Sequence, residues 1–139
     1  TDGTKLSDKA VTQAIALAQA LKAKLTVFHA SPDYPMPVYA EGVPVEMISR
    51  REYTKRAKED AQKVLDRVTA KASAAGIEAA TAYTIAAAPW EAILAAAKKH
   101  KCDAIVMASH GRRGLAGLLL GSETTKVLTH SKLPVLVVR

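Results

Sequence analysis

The glycines of this chain are concentrated where a phosphate group could bind. Four of its seven glycines lie in the segment from Met107 to Ser122. The segment follows a short apolar run, Ala104 to Met107, that is typical of a buried strand, and it ends directly before a helical pattern. Glycine accepts positive φ and permits close ligand approach, so backbone N–H groups between a strand and a helix can bind an anion. The pattern predicts a nucleotide-binding loop.

Particular donors within that segment could bind phosphate. Gly111, Gly121 and Ser122 would surround the phosphates, because their N–H groups and the Ser122 hydroxyl are donors and the dipole of the following helix favours an anion. Arg112 and Arg113 could add charge-assisted contacts. The alternative is a tight loop that requires glycine, followed by a helix that Ser122 caps. Both interpretations remain open at this point.

Catalytic and metal-binding patterns are weaker. Ser109 and His110 are adjacent in a segment expected to be extended, so their side chains should point to opposite sides and not form a nucleophile–base pair. The four histidines show no metal-ligand spacing, and the single cysteine, Cys102, excludes an internal disulfide and a multi-cysteine metal site. We therefore predict no catalytic residue and no metal held by protein ligands.

Helices and strands are expected to alternate along the chain. The hydrophobic periodicity predicts, in order, a helix from about Leu6 to Leu21, a strand Lys24–Ala30, a helix Val45–Ala75, a strand Ile77–Ile85, a helix Trp90–His100, a strand Asp103–Met107, a helix Ser122–His130 and a strand Leu133–Val138. This order implies right-handed crossovers and a parallel sheet covered on both faces. With 139 residues, we expect a single domain, 1–139.

Two segments interrupt this regular order. Ser31 to Pro44 holds four of the six prolines, which predicts a loop that is either a functional lid or a tolerated surface excursion. The chain opens on a turn, Asp2-Gly3, followed by a helix. Such a turn is typical of the exit from a strand, so we expect a preceding strand that is absent from this sequence.

The net charge of +7 raises the question of nucleic-acid binding. The basic residues of the long second helix alternate with acidic ones, which indicates a solvated helix face. No base-stacking aromatic residues accompany them, so we do not expect a nucleic-acid partner. No apolar run approaches the roughly 20 residues that span a bilayer, and no secretory signal is visible. These features predict a cytoplasmic protein without a membrane partner.

Five segments spread over the whole chain resemble one known family. They are Thr1-Asp-Gly-Thr4, Val27-Phe-His-Ala30, Pro89-Trp-Glu-Ala-Ile93, Asp103-Ala-Ile-Val-Met-Ala-Ser-His-Gly111 and Leu133-Pro-Val-Leu-Val-Val138. Nine residues separate Gly111 from Gly121-Ser122, which is the spacing of an ATP-binding motif, while Ala108 replaces its first glycine. On these residues the chain resembles the ATP-binding branch of the universal stress protein family.

The resemblance implies a fold and a ligand. The fold is a doubly wound, parallel, five-stranded sheet of the Rossmann-like, adenine nucleotide alpha-hydrolase-like class, with the absent first strand at its centre. The ligand is ATP, AMP or another adenine nucleotide, with or without Mg²⁺. If the first glycine of the motif is needed for positive φ, Ala108 costs about 1 kcal/mol or more. If that glycine is needed for ligand approach, the added methyl crowds the ribose.

The resemblance also assigns roles at the base and ribose. Asp2 would contact the adenine edge, and Ala30 would line the adenine slot with its backbone. Thr1, Met107 and Ala108 would flank the base and the ribose. Without the resemblance, Asp2 is a turn residue, and Ala30 and Met107 are core residues.

The first turn of the helix after Ser122 adds two candidate ligands. Thr124 and the backbone of Glu123 could reach phosphate or metal-bound water. The Glu123 carboxylate would repel phosphate unless it faces away or holds Mg²⁺.

Three functions remain open on this basis. The first is a nucleotide-binding regulatory protein of the stress response, with at most slow ATP hydrolysis because no general base or water-positioning group is evident. The second is a dimeric interaction module with a vestigial site, which Ala108 keeps possible. The third, ranked last, is an enzyme on the same scaffold.

The last strand predicts how two copies would associate. Val135 to Val138 is short, apolar and uncharged until Arg139, and it should lie at a sheet edge. An open apolar edge invites uncontrolled pairing, whereas two-fold pairing of this strand between two chains closes it. We therefore expect a homodimer joined through Val135–Val138.

Overall fold

The predicted alternation of helices and strands is confirmed. A computed structural model describes residues 1–34, 39–40, 43–44, 49–110 and 120–139. The helices are α1 (Lys5–Leu21), α2 (Arg50–Ala74), α3 (Pro89–Lys99) and α4 (Ser122–His130). The strands are β1 (Leu25–Pro32), β2 (Tyr39–Ala40), β3 (Val43–Pro44), β4 (Ala79–Ala86), β5 (Ile105–Ala108) and β6 (Val135–Val138).

The four longer strands form two parallel pairs. β1 pairs with β4, from Leu25 opposite Ala79 to Pro32 opposite Ala86. β5 pairs with β6 over four residues of each strand, with Ala108 opposite Val138 at the end. Within the described residues the two pairs are not hydrogen-bonded to each other, and the expected central strand stays a prediction.

The proline-rich segment contains more regular structure than expected. β1 continues through Ser31 and Pro32, and β2 and β3 form a short antiparallel pair inside the predicted loop. Residues 35–38, 41–42 and 45–48 lie outside the described part of the chain, so the lid remains an expectation. Helix α2 begins at Arg50 with Ser49 as its N-cap, whereas the sequence predicted a start near Val45.

Helices cover the strands on both faces. α2 and α3 both contact β1 and β4, while α1 contacts β5 and β6. Because strand side chains alternate between faces, the buried residues separate into two clusters. One cluster joins α1, β1 and α2 through Val11, Ile15, Val27, Leu65, Val68 and Ala72. The other joins α3, β5 and α4 through Ala97, Ile105 and Val127.

The helix termini differ in how their free backbone groups are satisfied. The Thr4 hydroxyl caps α1 by accepting from Ser7 N at 3.2 Å. α3 and α4 have no side-chain cap from their own N-cap residues, which are Ala88 and Gly121. At the C-terminus of α2, Gly76 adopts φ +74° and ends the helix, as the sequence predicted.

The described helices differ in length from nine to 25 residues. None of them is both long enough and apolar enough to cross a bilayer.

Candidate functional site

The start of the chain lies beside β1. The Thr1 amine donates to Phe28 O at 2.9 Å, and the His29 ring donates from Nδ1 to Thr1 O at 2.8 Å. Ala30, the next residue of β1, is half-buried near the carboxyl end of that strand. The structure therefore fixes Thr1, and with it the neighbouring Asp2, beside β1, the strand that carries Ala30. The carboxyl ends of parallel strands are where open α/β sheets bind their ligands.

Asp2 is held in the turn that begins α1. Its Oδ1 accepts from Thr4 N at 3.0 Å and from the Thr4 hydroxyl at 2.8 Å. Burial acts to raise the pKa of the Asp2 carboxyl, but the hydrogen bonds from Thr4 and Ser7 outweigh it and lower that pKa. The carboxylate is consequently ionised at neutral pH and acts only as a hydrogen-bond acceptor.

The turn requires glycine at position 3 for two independent reasons. Its φ of +81° lies in the left-handed region, and a Cβ at this position would be 2.8 Å from Val64 Cγ2. In addition, Arg67 Nη2 donates to Gly3 O at 3.0 Å. The turn that carries Asp2 is thus packed directly against α2.

At the end of β5, Ala108 occupies the place of the missing glycine without backbone strain. Among the described residues, the non-glycine positions with positive φ are Lys22 and Lys101. Ala108 is a buried strand residue opposite Val138. The cost in left-handed conformation considered for Ala108 does not arise here, because its φ is that of a strand. Its neighbour Met107 is half-buried and packs on the second core cluster.

Ser109 and His110 are arranged differently from the sequence prediction. Ser109 Oγ lies 3.0 Å from His110 Nδ1, so the expectation that the two side chains point apart is wrong. The reason is that β5 ends at Ala108, which releases the next residues from the alternation of a strand. Ser109 is only 2% exposed, so its hydroxyl is not open to an external substrate. His110 Nε2 is buried and has no hydrogen-bond partner among the described residues.

The N-terminus of α4 is bonded directly to the end of β5. Gly121 N donates to Ser109 O at 2.7 Å, and the Thr124 hydroxyl donates to Ala108 O at 3.0 Å. Gly121 is the N-cap, and Ser122 is the first helical residue and is exposed. The structure brings these residues close to Ala108, whereas Gly111 and Arg112 lie outside the described residues.

Glu123 bonds to a different helix. Its Oε2 accepts from Trp90 N at 2.9 Å, in the first turn of α3, and its Oε1 accepts from Lys126 Nζ at 3.2 Å. Sequence reasoning missed this contact between α3 and α4. The available signal was Ala88, which cannot cap α3 with its own side chain.

A cavity of about 260 Å³ lies between the end of β1 and the start of α2. Its lining is His29, Ser31, Pro32, Tyr53, Arg56, Ala57 and Asp60, none of which the sequence singled out as a ligand. Tyr53 closes one side, because its hydroxyl donates to Pro32 O at 2.9 Å. Across the described ranges, no group of three or more His, Cys, Asp or Glu side chains is arranged to hold a metal ion.

Comparisons with known proteins agree with this architecture. The model of the universal stress protein family matches residues 1–139. A Thermus aquaticus protein, "Universal stress protein in QAH/OAS sulfhydrylase 3'region", is 39% identical over 138 residues, which cover 99% of this chain and 93% of that relative.

Solved structures show the same fold. The universal stress protein UspA from Lactobacillus plantarum aligns with a TM-score of 0.82 at 22% identity, over 100% of this chain and 93% of that one. A universal stress protein solved in complex with cAMP aligns with a TM-score of 0.72 at 28% identity, over 100% of this chain and 92% of that one. With its alternating parallel architecture and a family match over its full length, the chain belongs to the universal stress protein family.

Proposed function

We propose that this protein binds an adenine nucleotide, with ATP as the first candidate, and acts as a cytoplasmic regulatory dimer of the stress response. The observation that carries the proposal is the start of α4. It has no side-chain cap, and Gly121 N bonds to the residue that follows β5. A helix N-terminus at the carboxyl edge of a parallel sheet is a favourable place for phosphate. A related protein in complex with cAMP supports the adenine ligand.

The base and ribose would bind between the starts of α1 and α4. The Asp2 carboxylate accepts hydrogen bonds, and the exocyclic amino group of adenine donates them. Thr1 bonds to β1 and Ala30 is part of that strand, while Met107 and Ala108 end β5, and these four residues would flank the base and the ribose. Because Ala108 is a strand residue without positive φ, replacing the first glycine of the motif causes no backbone strain, and the Ala108 methyl group would lie beside the ribose.

The phosphates would bind at the N-terminus of α4, beside Gly121 and Ser122. The Gly121 N–H already donates to Ser109 O, so the donors there would be the N–H groups of the first helical turn and the Ser122 hydroxyl. Gly111 and Arg112 are predicted donors outside the described residues. Ser122 is exposed, so its hydroxyl is available to a ligand. The hydroxyl of Thr124 already donates to Ala108 O, and the carboxylate of Glu123 accepts from α3 and Lys126. A Mg²⁺ ion in this site would therefore be held by the phosphates and water.

Mass spectrometry of the ligand released from freshly purified protein tests the proposal. We expect an adenine nucleotide, and calorimetric titration with ATP, AMP and cAMP then ranks the candidates. Asp2→Ala should weaken all three, whereas the exposed Asp103→Ala is a control that should weaken none. Absence of a ligand together with no heat of binding would favour the vestigial interaction module instead.

The outer edge of β6 supports a homodimer. Ile105 N donates to Pro134 O and Ser109 N donates to Val138 O, so the carbonyls of alternate residues face β5. The N–H and C=O groups of Val135 and Val137 consequently face away from β5. In the described part of the chain, no other strand pairs with β6.

Light scattering at micromolar concentration tests the dimer, and a clean monomer mass would refute it. Val137→Pro removes an outward-facing donor and should shift the mass toward the monomer. Circular dichroism must first show that this variant is folded.

A further inference from the structure

We propose that Glu123 is a positioning residue that keeps the N-terminus of α4 available to phosphate. It does so by holding its own negative charge at the N-terminus of α3. The inference rests on the proposed nucleotide binding and concerns how the same site tolerates a carboxylate two residues after Gly121.

Neither α3 nor α4 has a side-chain cap from its own N-cap residue, but in the described part of the chain only α3 receives an acceptor from another helix. Ala88, the N-cap of α3, offers no side-chain acceptor, and the Glu123 carboxylate supplies one at Trp90 N, 2.9 Å away. The positive end of the α3 dipole therefore stabilises this negative charge. Gly121, the N-cap of α4, also offers no side-chain acceptor, and the described residues supply no side-chain substitute there.

The second carboxylate oxygen of Glu123 is also compensated. Lys126 Nζ lies 3.2 Å from Oε1, one helical turn further along α4. A second contact joins the same two helices, because the Trp90 ring of α3 packs on the His130 ring of α4 with centroids 4.6 Å apart. Both oxygens of Glu123 thus accept hydrogen bonds, one from α3 and one from within α4.

This arrangement has an electrostatic consequence for a bound nucleotide. A phosphate at Gly121 and Ser122 would be repelled by an uncompensated carboxylate in the same helical turn. Because Lys126 offsets that charge, its removal should weaken ligands in proportion to their phosphate charge and leave adenosine unaffected. The Glu123 and Lys126 side chains are 35% and 49% exposed, so solvent screening limits the effect.

Calorimetric titration of Lys126→Met with adenosine, AMP and ATP tests the proposal. We expect about threefold to tenfold weaker ATP binding, a smaller loss for AMP and no change for adenosine. Glu123→Gln keeps an acceptor for Trp90 N but removes the charge, so the Glu123→Gln, Lys126→Met double variant should bind ATP about as well as the wild type. Lys132→Met is the matched control. It also removes an exposed lysine, but Lys132 precedes the N-terminal end of β6, whereas the proposed site lies at the C-terminal end of β5.

Three results would overturn the proposal. These are equal losses for adenosine and ATP, a Glu123→Gln, Lys126→Met double variant that binds ATP as weakly as Lys126→Met alone, and an equal effect of Lys132→Met. In each case the wild type still binds ATP, so the proposed function survives. A wild type that binds none of the three ligands would overturn both.

Discussion

The starts of α1 and α4 both lie near the carboxyl ends of strands, but they are completed in different ways. The start of α1 is satisfied by its own neighbours, since Asp2 accepts from Thr4 and Thr4 caps Ser7 N. The start of α4 has no such local acceptor and is held by bonds to β5 instead. The first arrangement stabilises a turn, and the second leaves the first helical N–H groups of α4 without a side-chain acceptor among the described residues.

The largest expected effect concerns the start of α1. Gly3→Ala should reduce the free energy of unfolding by about 3 kcal/mol, because it combines positive φ with a close approach to Val64. Gly76→Ala is the matched control: its φ is also positive, but no atom lies within 4 Å of the added Cβ. It should cost only about 1 kcal/mol. Urea denaturation measures both, and equal losses would show that packing against α2 adds nothing.

The corresponding change at α4 should affect binding and spare stability. Gly121 has φ −72° and ψ 156°, which a branched residue adopts readily. Gly121→Val should therefore fold, while its side chain blocks phosphate and weakens ATP binding about a hundredfold or more. Calorimetric titration with Mg·ATP measures the loss. Unchanged affinity in a folded variant would remove this junction from the phosphate site.

The bonds that hold α4 to β5 can be tested with two adjacent threonines. Thr124→Val leaves the buried Ala108 carbonyl without its 3.0 Å partner and should cost about 1–2 kcal/mol of stability. Thr125→Val is the control, because Thr125 donates to Gly121 O from an exposed position. It should cost less than about 0.5 kcal/mol. Thermal unfolding distinguishes the two, and equal costs would mean that the bond to β5 is not the important one.

The smallest effect is a change in pH dependence at the start of α1. The pKa of Asp2 is lowered in the folded protein, so its contribution to stability is present above the unfolded pKa of about 4. That contribution is lost as pH falls through the lower folded pKa. Asp2→Asn keeps an acceptor for Thr4 but should flatten the fall in melting temperature between about pH 5 and pH 2. Asp103→Asn, at an exposed position, should leave the profile unchanged.

The sequence predicted the order of elements well because the signals are local. The stripe of small apolar residues along α2 defines its buried face, and Gly76 marks its end. The short strands begin and end within a few residues of their predicted limits, as at β4 and β6. The segment around β2 and β3 was harder to predict, because prolines favour a loop and the short pairing depends on contacts between the two strands.

The residues of the candidate site could be proposed from the sequence, but most of their contacts could not. Gly121-Ser122 was identified from residue type and spacing, and the site role of Asp2 came from the resemblance to the family. In the structure, Gly121 bonds to Ser109 just after β5, and Thr1 bonds to Phe28 of β1. The bond between Ser109 and His110 was missed because it depends on where β5 stops. The cavity beside Tyr53 was missed because its lining comes from β1 and α2, which are distant in sequence.

By itself, the sequence determined the alternation of helices and strands, the position of the turns at Gly3 and Gly76, and the likeness to one family. These properties are encoded by residue periodicity and backbone preference over a few neighbouring positions. Only the tertiary structure decided that the Glu123 carboxylate accepts a hydrogen bond from α3 and that the Thr124 hydroxyl donates one to β5. A hydrogen bond between distant segments depends on how the helices pack on the sheet, because packing sets which donors and acceptors meet.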